Sequence, residues 1–343
     1  MTLTNAVLML LWLALTAYVV LAGADFGGGV WDALAHGSTA RDQRRAIAEA
    51  MGPVWEANHV WLIALITGLY TCFPPVFAAL SIALYVPLSL ALIGIVLRGA
   101  AFAFRAHGQE AVGPLTPWGA IFGATSIVTP FVLGASAGAI ASGAIRVHGT
   151  HVLADPLTAW LTPFGLDCGF LALALAAQQA AVYLAVEARD SGDARLENNF
   201  RGRALAALAA TAALAMIGLP LMHAQATILW SGFLHRTLPL AALTGLLTLA
   251  CTVSVLSRHV RWARLLAVGE AVALLWAWAA AQYPYLVVPD MTVRSAAATD
   301  TTLVSFTVIA VVGGVFLIPS LVLLFAVFKG RNPAEAVPRS STR

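Results

Sequence analysis

The chain has 343 residues, of which 60% are hydrophobic and 10% charged, with a mean hydropathy of +0.85. An ordinary soluble domain carries roughly 25% charged residues. A water-soluble fold of this size could not hide that much apolar surface, which excludes a cytosolic enzyme, a secreted disulfide scaffold and a disordered chain. The net charge of +3 comes from 18 Arg and one Lys against 16 acidic residues. It is too small and too scattered for nucleic acid, which needs a clustered basic face. Cys72, Cys168 and Cys251 form no CxxC, haem-attachment or zinc pattern and read as buried inert thiols.

Apolar runs of about 18 residues or more predict membrane-spanning helices. In chain order they cover 5–34, 51–72, 76–98, 118–145, 158–186, 203–224, 237–256, 262–282 and 302–328. This is an all-α polytopic membrane protein of about nine spans, a single membrane domain over 1–328 with a tail at 329–343. The first run lacks a basic leader region and is too long for a signal peptide, so it counts as a helix. Every connection is short; the longest outer one, 283–301, carries Pro284, Pro289 and Asp290. Leu115–Gly119 and Leu161–Gly165 look alike but fall on opposite sides with little similarity around them, so they are no repeat.

The connections alternate in charge. Arg41, Arg44, Arg45, Arg98, Arg105, Arg189, Arg195, Arg201, Arg203, Arg258, Arg261, Arg264, Lys329, Arg331, Arg339 and Arg343 fall on one side, leaving Arg146, Arg236 and Arg294 for the other. The excess of basic residues on cytoplasmic loops then predicts an outside N-terminus and a cytoplasmic C-terminus, as does the odd number of spans.

An ionisable group inside a membrane costs at least ~2.5 kcal/mol near the centre, so each is a functional candidate. Asp25 sits in Gly23–Gly29, late in the first helix. Glu56 and His59 sit in Gly52–Trp61, early in the second, at i, i+3 and so on one helix face. All three fall toward the cytoplasmic half. Two carboxyls and an imidazole there suit a proton path opening to the cytoplasm. A buried structural hydrogen-bond cluster is the alternative. Metal ligation is a third reading, but an ExxH di-iron site needs a second ExxH, and the sequence has none. Gly27, Gly28 and Gly29 either line a cofactor or permit close helix packing. A phosphate loop is excluded by the missing GxxxxGK[ST].

Asp167 and Glu270 are secondary candidates, either for the relay or for pairing with an Arg; for Asp167 an Arg at a subunit contact is favoured. Asp32, His36 and His107 read as hydrated surface groups, and His148, His151, His223, His235 and His259 as interfacial. Only His59 is deep enough for a haem ligand, with no obvious mate, so no haem is expected on this chain. Trp55 and Trp61 flank the Glu56 and His59 pair and could shield it from lipid.

Taken together, Gly23–Gly29, Gly52–Trp61 and Cys72-Phe73-Pro74 resemble the start of subunit II of cytochrome bd-type quinol oxidases. Leu97–Arg105, Phe122–Gly138, Thr162–Leu166 and Tyr283–Pro289 continue the resemblance in family order. It implies a haem-bearing partner, subunit I, which holds two b-type haems and one d-type haem and oxidises quinol. It implies an oxidoreductase complex that reduces O₂ to water and builds proton-motive force in the bacterial cell membrane. No cofactor is expected on this chain, although some relatives hold a structural quinone; a small accessory subunit is a further candidate partner, and lipid surrounds the whole. Carried over by residue, Asp25 and Glu56 are the proton-path candidates, Glu56 at a position often filled by Asp. His59 replaces an amide in some members, and Asp167 stands where an apolar residue is usual.

The competing function is a proton-coupled secondary transporter using Asp25, Glu56 and His59. Such transporters show broken helices in matching halves and a midplane site, and neither is evident in the sequence.

Overall fold

In a computed structural model, residues 2–107, 117–149 and 151–330 are described, the side chains of 51–57, 106–107 and 324–330 excepted. The helices are α1 (Leu3–Ala33), α2 (Ala40–Cys72), α3 (Pro74–Ala83), α4 (Tyr85–His107), α5 (Pro117–Ser142), α6 (Pro163–Asp190) and α7 (Ala194–Gln225). They continue as α8 (Thr227–Gly232), α9 (Leu238–Leu256), α10 (Val260–Gln282) and α11 (Asp300–Gly330), with a π-helical turn at Phe233–Thr237 between α8 and α9. Two small hairpins, β1 (Arg146–His148) with β2 (His151–Leu153) and β3 (Tyr285–Val287) with β4 (Met291–Thr292), cap one end of the bundle. Among the described residues eight helices are long and apolar enough to cross a membrane. The count is nine if Asn58–Cys72 and Pro74–Ala83, bent by 114° at Phe73, form one broken span.

The element boundaries depart from the expected ones where charge or capping governs. The second helix begins at Ala40, not 51, because its first turns are amphipathic: Ile47 and Gln43 are buried while Arg45 pairs with Glu49 in solvent. The run expected at 76–98 is interrupted at Leu84, and its second part continues through Arg98 and Arg105 as α4. Helix α5 stops at Gly143, whose φ of +81° a side chain would disfavour. Helix α6 begins five residues later than expected, since Thr162 accepts a capping bond from Gly165 N at 3.0 Å and Pro163 takes the first helical position. Asp193 caps α7 through Arg195 N and Leu196 N, drawing Glu197, Arg201 and Arg203 into the helix.

Helices α1, α5 and α6 form the middle of the bundle. Gly27 lets α1 lie against the backbone of α6, where a Cβ would fall 1.9 Å from Ala176 O. Gly29 does the same toward α5, 2.0 Å from Ser126 Oγ. These glycines serve close packing, not cofactor lining. Trp31 reinforces the seam by donating its indole N–H to Ala177 O at 2.7 Å. A core of Ile47, Leu184, Phe200 and Leu208 joins α2, α6 and α7 on one side. Another, of Phe73, Leu84, Ile145 and Leu303, joins α2, α3 and the hairpin end.

Asp290 ties the two hairpins together. It accepts from Arg146 Nε at 2.9 Å, from Arg146 Nη2 at 3.2 Å and from Val147 N at 2.8 Å. The hydrogen bond from Arg146 holds the Asp290 carboxyl below the usual range. A depressed folded value means that the latch is fully present above the ordinary Asp pKa of about 3.9 and is lost as pH falls through the lower, folded value. Amide-exchange protection of Val147 is therefore expected to hold from neutral pH into mild acid and to fail only below that ordinary value. Asp290→Asn should weaken it at every pH and flatten the dependence. Protection already lost in mild acid in the native chain would contradict this.

Candidate functional site: a buried ion pair beside a polar cavity

Asp25 and Asp32 lie seven residues apart on α1, and Arg98 and Arg105 seven apart on α4. Seven residues are nearly two helical turns, so each pair presents one face, and the two helices meet in matched register. Arg98 donates to Asp25 Oδ2 from Nη1 at 2.6 Å, to Oδ1 from Nη2 at 2.8 Å, and to the Asp25 carbonyl from Nη2 at 2.7 Å. Its Nε donates to Ser126 Oγ at 2.9 Å, and Ser126 in turn donates to Phe122 O at 2.6 Å. Asn58 Nδ2 adds a bond to Asp25 Oδ2 at 3.0 Å. Asp25 is 1% exposed and Arg98 2%. The guanidinium is sandwiched between the rings of Phe26 and Phe122, 4.9 and 4.7 Å from their centroids.

Arg105 repeats the motif nearer the helix end. It pairs with Asp32 at 2.9 and 3.2 Å and stacks on the same Phe122 ring at 4.9 Å. Arg98 and Arg105 are thus not loop charges, and Asp32 is a buried partner rather than a hydrated surface group. The fork of an arginine matches a carboxylate at both oxygens, which lets the charges leave water together.

Beside the first pair lies a cavity of about 10 Å³, lined by Tyr18, Asp25, Phe26, Asn58, His59, Leu62, Ile95 and Arg98. That is about the space one water molecule needs. The Tyr18 hydroxyl has no hydrogen-bond partner among the described residues. Asp25 and His59, expected at similar depth, do meet here. Glu56 lies one turn earlier on α2, and its side chain is outside the described residues, as is that of Trp55. Trp61 packs on the cluster of Tyr18, Ala22 and Phe26 next to the cavity.

The secondary candidates stand elsewhere. Asp167 is buried in the first turns of α6, with Oδ2 facing Gly218 of α7; Oδ1 has no partner and no Arg lies within 4.0 Å among the described residues. Glu270 of α10 is 1% exposed and bonded to Gln178 and Thr248. Sequence reasoning missed Asn58, Tyr18, Ser126 and above all Arg98. The signal for Arg98 was the shared seven-residue spacing of two aspartates and two arginines.

Removing one partner of a buried pair leaves an uncompensated charge and costs about 3–5 kcal/mol. Asp25→Asn is expected to lower the melting temperature of the assembled protein sharply. Asp25→Leu combined with Arg98→Met should recover part of that loss, since no lone charge remains. An unchanged melting temperature in Asp25→Asn alone would contradict the assignment.

The family described as cytochrome bd terminal oxidase subunit II matches residues 3–328. The cytochrome bd ubiquinol oxidase subunit 2 of Bacillus subtilis is 33% identical over 131 residues, 36% of this chain and 37% of that protein. The cytochrome bd-I ubiquinol oxidase subunit 2 of Escherichia coli K12 is 28% identical over 224 residues, 63% of this chain and 56% of that protein. The matched stretches thus span about a third to a little over half of these relatives. A chain of the bd oxidase structure from Geobacillus thermodenitrificans shares the fold, with a TM-score of 0.81 at 22% identity over 97% of this chain and all of that one. With its eight or nine apolar spans and a match over nearly its whole length, this multi-pass bacterial membrane protein belongs to the cytochrome bd terminal oxidase subunit II family.

Proposed function

We propose that the chain is the haem-free subunit of a quinol:O₂ oxidoreductase and supplies part of the proton route that O₂ reduction consumes. The haems, of b and d type, belong in this reading to subunit I, the partner. Quinol and O₂ are substrates of the whole complex, and a bound quinone and a small accessory subunit remain further candidates from the family. The N-terminus faces outward and the tail at 329–343 the cytoplasm.

One observation carries the reading. Asp25, Asn58, His59 and the Tyr18 hydroxyl converge on a cavity that suits a single water, inside a segment that is otherwise apolar. The roles divide by chemistry. Asp25, held at both oxygens by Arg98, is a fixed anion that orients the cavity and stays charged. The proton carriers are His59, whose imidazole can both accept and donate a proton through its two ring nitrogens, and Glu56, three residues earlier on the same helix. A proton entering at Glu56 passes to the His59 imidazole and then to a water in the cavity.

Glu56→Gln and His59→Gln, each without an ionisable group, are expected to slow O₂ consumption by about tenfold or more while assembly and the haem spectrum stay normal; tenfold corresponds to about 1.4 kcal/mol of barrier. Unchanged turnover with a normal spectrum in both variants would remove them from the route.

A further inference from the structure

A further buried carboxyl lies outside the cavity, without an arginine beside it. Glu270 sits in α10 against α6 and α9. Gln178 Nε2 donates to its Oε2 at 2.6 Å, and Thr248 Oγ1 lies 2.9 Å from its Oε1. Thr248 Oγ1 also lies 2.9 Å from Thr244 O, the carbonyl one turn back on its own helix. A hydroxyl has one hydrogen. Thr244 O already accepts the helical amide of Thr248, so the hydroxyl is free either to donate to Glu270 or to accept from it while donating to Thr244 O.

The surroundings supply no counter-charge. Among the described residues no Lys, Arg or His nitrogen lies within 4.0 Å of Glu270. Its partner on α6, Gln178, is an uncharged amide. On α9 its neighbours are Thr248 and the Cys251 thiol, which donates to Ala263 O at 3.5 Å. On α10 itself the nearest arginine is Arg264, six residues away, at 4.0 Å from Glu187 and stacked on Tyr183. On α1 both aspartates are engaged by arginines of α4. Asp25 shows the arrangement this fold uses for a buried anion: a bidentate arginine and an amide. Glu270 has the amide and lacks the arginine.

We propose that Glu270 is a neutral carboxylic acid whose proton, on Oε1, is donated to Thr248 Oγ1, making it a second proton-binding site of this subunit, separate from the Asp25 cavity. With the proton in place every bond in the cluster is made without a buried net charge. The acid donates to Thr248, Thr248 donates to Thr244 O, and Gln178 donates to the acid's carbonyl oxygen. Thr252, which donates to Thr248 O at 2.8 Å, extends the hydroxyl row along α9. This reading does not depend on the oxidase assignment, since it follows from the burial of Glu270 without a counter-charge inside the chain.

Infrared difference spectroscopy on the purified native assembly tests it. The carbonyl stretch of a protonated acid is expected in the wild type, shifting in D₂O and lost in Glu270→Gln, a neutral isostere that keeps a donor for Thr248. Loss of carboxylate stretching bands instead, with the acid region unchanged, would overturn the proposal. Should that variant fail to assemble, Thr248→Val decides: removing the acceptor shifts the acid band if Glu270 carries the proton, and an unshifted acid region contradicts it.

Discussion

Burying an arginine inside an apolar bundle is tolerated only when its charge and each of its three nitrogens are met. Arg98 satisfies this with two carboxylate oxygens, a backbone carbonyl and a serine hydroxyl, between two aromatic rings. These contacts come from α1, α4 and α5, and Asn58 adds α2. The requirement therefore fixes four helices at once. Close approach of α1 to α5 and α6 at Gly27 and Gly29 brings Phe122 and Ser126 within reach, so small residues in one place make the ion pair possible in another.

The same constraint shapes the cavity. Its polar wall is the ion pair, and its apolar wall is Phe26, Leu62 and Ile95. A carboxylate held at both oxygens makes a good fixed charge and a poor proton carrier, which is why the proposed route runs through His59 and Glu56 instead. The fold thus places its buried carboxyls in distinct settings. Asp25 and Asp32 are paired with arginine, Glu270 sits among neutral hydrogen-bonding partners, and Asp167 lies against Gly218 of α7.

The apolar runs announced the spans, because twenty residues without charge have few other uses. Asp25 and His59 were legible as neighbours from their depth on two adjacent helices. Arg98 was not, because a charge at the end of an apolar run reads as a loop residue when judged locally. Its partner is 73 residues away. Helix ends failed for a related reason: the first turns of α2 and α7 are polar, and capping by Asp193 or the pairing of Arg45 with Glu49 carries the helix beyond the apolar run. The break at Phe73 and Pro74, by contrast, coincided with a proline pair visible in the sequence.

The proposed function makes this chain a subunit that serves redox chemistry held by another chain. Purification of the tagged protein from native membranes, with a reduced-minus-oxidised spectrum and identification of co-eluting chains, tests that most directly. The account predicts a second hydrophobic chain and absorption bands of b- and d-type haem. A colourless protein eluting alone would contradict it.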